Sequence, residues 1–291
     1  MSAPVPRLAF PAMVAANLLL ALGPWMVRLA DVGPVASGFW RMAIAIPFLA
    51  ALVYLGRNRP GGDFPRGLLA LFIVLGGLFF AADLAAWHKG ILLTRLANAS
   101  LFGNFSSFLF AAYGFLLIRA LPGKVQAAAL VLAVAGTALL LGASAEFSAA
   151  QLEGDLLCIL AGLFYTFYLV AIDRARKTAA PSPVLALATI AGALPLLGFA
   201  LLMGEQVVPG DWTPLILLSF GSQLFGQGLL VYAMGHVSPV VTAVAMLIQP
   251  AAGAVIGWVV YGEAMGALDI LGALAIAAAL VLIRLPERAK S

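Results

Sequence analysis

Charge is scarce in this sequence. Asp, Glu, Lys and Arg make up only 10% of its 291 residues, against about 25% in an average soluble domain. That scarcity excludes a water-facing exterior. Cysteine is nearly missing as well: Cys158 stands alone, which excludes a disulfide framework and a cysteine-rich metal site. Histidine occurs twice, as His88 and His236, near opposite membrane faces, so the pair cannot share a metal or a catalytic serine. There is no Gly-x-Ser-x-Gly, no His-Glu-x-x-His and no Walker-type phosphate loop. An intramembrane enzyme and direct use of ATP are therefore both disfavoured, and no cofactor or metal is implied.

Apolar residues are what the sequence has in excess. They reach 64%, with a mean hydropathy of +1.08, beyond what a soluble core of this size can absorb. A membrane-spanning helix takes about 20 apolar residues, and ten such runs fit. They lie near 9–29, 36–56, 67–88, 96–118, 124–144, 154–172, 183–203, 213–235, 238–260 and 266–284. The first run is too long for the apolar part of a cleaved signal peptide and reads as a span. An all-α integral membrane protein follows, with no room for a sizeable soluble domain.

The net charge of +4 is unevenly distributed. Arg7, Arg57, Arg59, Arg66, Arg119, Lys124, Arg174, Arg176, Lys177, Arg284, Arg288 and Lys290 fall on the side of the termini. Arg28, Lys89 and Arg95 fall on the other, and Arg41 lies inside a span. The positive-inside rule then makes both termini cytoplasmic. Twelve arginines against four lysines, with Ala, Leu and Gly dominant, fit a bacterial inner membrane.

The loop Ala145–Gly154 separates two sets of five spans, 9–144 and 153–284. Five is odd, so similar halves would lie in opposite orientations. At an offset of 142, Ser100 meets Thr242, Asn104 meets Met246, Ser107 meets Gln249 and Ala111 meets Gly253, one stripe per helix. Pro47 matches Pro195 at an offset of 148. Two Ala/Leu-rich helices can also be slid into agreement by composition alone.

Polar groups inside spans mark functional candidates. Arg41 and Asp83 fall at similar expected depth near the outer end, which permits an ion pair. The two would serve as an outer gate, as a carboxylate-binding arginine, or as a fixed staple between spans two and three, unless Arg41 snorkels to the interface. Ser100, Asn104 and Ser107 line span four, Thr242 and Gln249 span nine, and Gln223 with Gln227 one face of span eight. These bridge helices or line a cavity. Tyr165 and Tyr168, at i and i+3, and Trp25 are aromatic lining candidates, whereas Trp87 reads as an interfacial anchor. Amides and rings without an acidic pair suit an uncharged or zwitterionic ligand with an apolar part. Gly253-x-x-x-Gly257 is a close-packing motif for an internal contact between halves or for a dimer face, the internal role being favoured. Pro24, Pro195 and Pro250 free backbone carbonyls and favour kinks.

Several short motifs resemble the drug/metabolite transporter superfamily, in its EamA-type branch. They are Gly38-Phe39-Trp40-Arg41, the small polar run Leu96–Ser100, and its counterpart His236–Thr242. Gln249-Pro250 and the closing Tyr261-Gly262-Glu263 complete them. The first half departs from this pattern, having Phe108 where the proline aligns and no matching glutamate. Within the branch the chain is most similar to bacterial amino-acid exporters of the YddG kind. The resemblance implies a ten-helix permease of two inverted repeats, working by alternating access as a monomer or weak homodimer. It implies export of aromatic or other neutral amino acids and related small metabolites. A permease for a different metabolite or drug, or a non-transport membrane subunit, remains the competing reading.

Overall fold

The computed structural model describes residues 6–94, 99, 102–119, 122–142, 151–262 and 266–283. Helix α1 (Ala9–Leu29) is followed by α2 (Pro34–Gly56), α3 (Gly67–Leu93), α4 (Phe105–Ile118) and α5 (Lys124–Gly142). The second half of the chain contributes α6 (Leu152–Ala175), α7 (Pro181–Leu202) and α8 (Thr213–Met234). Helix α9 comprises Pro239–Met246 and Ile248–Tyr261, and α10 runs Ala267–Leu282. Helices α1–α3 and α6–α9 are long and apolar enough to cross a membrane, seven in all; α4, α5 and α10 are shorter apolar helices. Apolar side chains left outside, such as Leu55, Leu116 and Leu194, suit a bilayer-covered surface.

Prolines explain several of the boundaries. Pro34, Pro181 and Pro239 open their helices, where a missing N–H costs nothing. Pro24 and Pro250 each follow a one-residue break, at Leu22 in α1 and Leu247 in α9. Pro47 and Pro195 instead sit inside unbroken α2 and α7.

Three spans differ from their expected form. Helix α3 continues to Leu93 rather than 88, so Trp87 and His88 lie within it rather than at its end. Trp87 packs half-buried against a small apolar cluster, and His88 is fully buried. Helix α4 begins at Phe105 with Asn104 at its N-cap, so span four is not one continuous helix over 96–118. Residues Ser219–Gln227 of α8 form a π-helix. Widened turns of this kind are rare and cluster at functional sites.

The packing has an exchange property. Helix α3 lies along α6 and α7, while α8 lies against α1 and α2; α4 meets α6, while α9 meets α1. Replacing each helix by the one five places along turns each contact in these pairs into its partner. The pairs α2–α7, α4–α9 and α5–α10 map onto themselves. Close approach in α3 depends on Gly76 and Gly77. A side chain at Gly76 would meet the Ala171 methyl, and one at Gly77 would run into the Ala188 backbone. Gly77→Leu is expected to destabilise the fold by at least about 1–3 kcal/mol, read as a lower melting temperature in detergent; an unchanged melt would refute this packing.

Two matching clasps join the chain's halves at opposite ends. At one end Gly33 N–H, before Pro34, donates to the Gln206 carbonyl at 2.9 Å. At the other, Ala180 N–H, before Pro181, donates to the Gly61 carbonyl at 2.9 Å. The first is reinforced by carboxylates. Glu205 accepts from Val35 N–H (3.3 Å) and Ala36 N–H (2.8 Å) at the start of α2, and Asp31 from Gly210 and Asp211 N–H. Trp40 Nε1–H donates to the Val207 carbonyl at 2.7 Å. Thr213 N–H holds the Asp211 carboxyl below its usual range. At the opposite end the Arg176 guanidinium donates to the Val231, Tyr232 and Ala179 carbonyls, closing the C-terminus of α8. Burial and the Arg176 cation keep His236 below its usual range, favouring the neutral ring. Glu205→Gln is expected to loosen α2 by about 1 kcal/mol, seen as faster amide exchange confined to its first turn; uniform exchange would sink the assignment.

Candidate functional site

The buried polar groups converge where α2, α3, α6, α7 and α8 meet. Arg41, eight residues into α2, is 4% exposed; its Nε–H donates to Gln223 Oε1 at 3.1 Å. Gln223 in turn donates from Nε2 to Thr189 Oγ1 on α7 at 2.9 Å. One turn on, Gln227 accepts from Tyr168 OH and donates to Tyr165 OH, both at 3.2 Å. The π-helix therefore aims both amides inward, and Gly226 lets α1 approach it, since an added Cβ would lie 3.1 Å from Leu20. Arg41 and Thr189 each lie six residues before the mid-helix proline of α2 or α7, so Gln223 bridges equivalent positions of the two halves.

Aromatic rings pack beside this network. Phe80 stacks on Tyr168 with centroids 4.5 Å apart, and Tyr165 lies 5.6 Å from Tyr168. The Arg41 guanidinium sits 5.5 Å from the Phe80 centroid, within cation–π reach.

The expected Arg41–Asp83 ion pair is absent: among the described residues none joins them within 4.0 Å. The longer α3 explains this. Arg41 lies seven residues past Pro34 and Asp83 ten before Leu93, about 10 and 15 Å along their helices. Their depths differ.

Other expected residues separate from this cluster. Gln249, half-buried, donates to Asn17 Oδ1 on α1 at 2.9 Å, while Asn17 donates to the Met13 carbonyl. Thr242 donates its hydroxyl to the Ser238 carbonyl of its own helix at 3.2 Å. The break at Leu247 also splits the Thr242–Gln249 stripe. Asn104 is a half-buried N-cap. Ser107 is buried, and its Oγ has no hydrogen-bond partner among the described residues. Trp25 packs into the small cluster with Trp87 and Phe102, apart from the amide network. Ser100 lies outside the described residues. An added Cβ at Gly253 would touch nothing within 4 Å, so that residue makes no close internal contact among the described residues.

Thr189, Asn17 and Phe80 were missed in the sequence. Thr189 carried a signal, its spacing to Pro195 matching that of Arg41 to Pro47. Phe80 and Asn17 carried none beyond being one ring or amide among apolar neighbours.

The EamA-like transporter family profile matches residues 8–142 and 152–285. The chain belongs to this family. It is thus a multi-pass membrane transporter of small molecules rather than an enzyme. An uncharacterized transporter from Archaeoglobus fulgidus is 26% identical over 249 residues, covering 82% of this chain and 84% of that protein. A solved crystal structure superposes with a TM-score of 0.79 at 18% identity, over 95% of this chain and 96% of the other, a likeness of fold.

Proposed function

We propose that the protein is a secondary transporter that exports neutral amino acids, aromatic ones foremost, by alternating access. The observation that carries this reading is the amide–phenol network at the junction of both halves. Gln223 and Gln227 on one element touch α2, α6 and α7, and the rings of Phe80, Tyr165 and Tyr168 supply an apolar wall. Such a surface suits a ligand with a polar head and an aromatic or aliphatic side chain.

The helix-exchange property of the packing supports two inverted five-helix repeats, 9–144 and 153–284, with ten crossings. The solute then binds near mid-membrane, and the halves rock around it. The distribution of Lys and Arg supports cytoplasmic termini in a bacterial inner membrane. On that orientation the Glu205 clasp faces outward and the Arg176 end inward.

The test is counterflow in proteoliposomes loaded with unlabelled amino acid. Saturable uptake of labelled phenylalanine, with methionine and threonine following, is the expected result. No counterflow of any amino acid by folded protein overturns the substrate and leaves the transporter family intact.

A further inference from the structure

Arg41 and Asp83 are both buried, at 4% and 9% exposure, in a region where a lone charge is costly. Arg41 uses only Nε, toward Gln223, and its ring contact with Phe80. Its two terminal nitrogens, the fork that fits a carboxylate, have no hydrogen bond among the described residues. Asp83 accepts none there either. Each lies within electrostatic reach of the other, yet no ion pair closes. A staple between helices would have closed it, and a proton-carrying Asp83 acting alone would leave the arginine fork unexplained.

We propose that Arg41 and Asp83 are the two poles of a zwitterion clamp, Arg41 taking the carboxylate of the transported amino acid and Asp83 its ammonium group. The clamp rests on the amino-acid reading above and specifies how that substrate is recognised. An α-amino acid bears both complementary charges on one carbon, so it neutralises both buried groups at once. Its side chain then runs along Phe80, whose ring faces the guanidinium, and along Tyr168 stacked on Phe80. Tyr165, half-buried, lies beside Tyr168 with its ring centroid 5.6 Å away. Both charges are required, because a ligand lacking one leaves its partner buried and unpaired.

The experiment is competition against labelled phenylalanine counterflow in proteoliposomes. The competitors are phenylalanine, phenethylamine (no carboxylate) and 3-phenylpropionate (no ammonium). With the unaltered protein, each single-charge analogue is expected to compete about a hundredfold less well. In Asp83→Asn, 3-phenylpropionate is expected to rise to within about tenfold of phenylalanine; in Arg41→Gln, phenethylamine rises instead. Analogues that match phenylalanine on the unaltered protein overturn the clamp without any variant. So does an unchanged ranking in folded variants, or an Asp83→Asn protein that loses only its response to a pH gradient. In those cases amino-acid transport itself stands. Absence of any phenylalanine exchange by the unaltered protein overturns clamp and substrate together.

Discussion

Gln223→Leu is expected to cut amino-acid counterflow by about a hundredfold, because it removes two hydrogen bonds, one of them to a charge. The side chain is fully buried, accepts from Arg41 and donates to Thr189. Leucine fills much the same volume, so the packing of α8 survives while the Arg41 Nε–H loses its acceptor. A hydrogen bond to a charged group contributes about 1.5–3 kcal/mol, and the loss falls on the residue assigned to the substrate carboxylate. Gln223→Glu separates geometry from charge. It keeps the acceptor but draws the guanidinium into a closed ion pair, so the fold holds and transport still fails. Thr189→Val removes only the outer bond and is expected to cost less than about tenfold. Counterflow rates beside melting temperatures in detergent check all three. Full transport by Gln223→Leu would show that the bridge is scaffold.

Much of this architecture was legible because membrane helices announce themselves by length and hydropathy. Arg41, Asp83, Gln223 and Gln227 stood out because polar groups in apolar runs are costly. Their partners were another matter. Gln223 meets Thr189 on a different helix, and Asn17 meets Gln249 from 232 positions away, which no local periodicity encodes. Equal depth for Arg41 and Asp83 was an error of boundary, since α3 runs five residues further than its charged end implied. That Thr242 bonds to the carbonyl four residues back is an option of any helical threonine, which its place in the stripe does not reveal. The π-helix of α8 was invisible for a related reason: Gln223 and Gln227 share a face in either helix, and the pattern does not tell them apart.

Locking Asp31 to Gly210 is expected to drop transport below about a tenth of its starting rate, with recovery on reduction. Alternating access requires each end to open in turn, and the observed structure holds both clasps shut, Gly33 to Gln206 and Ala180 to Gly61. Opening at the Glu205 end must release the loop between α7 and α8 from the corner between α1 and α2. Asp31 already accepts from Gly210 N–H at 2.7 Å, and a Cβ built on Gly210 would lie 2.9 Å from Asp31 Oδ2. The two side-chain directions therefore meet, as a disulfide requires. Asp31→Cys with Gly210→Cys can be oxidised without ambiguity, because Cys158 is the chain's single cysteine and is buried. Either substitution alone controls for the loss of the Asp31 hydrogen bonds, whose release from an exposed corner costs at most about 1 kcal/mol each. A cross-linked protein that exchanges phenylalanine at full rate would make this corner a fixed hinge. The moving elements would then have to be α4 with α6 and α9 with α1, joined by Tyr113–Asp173 and Asn17–Gln249.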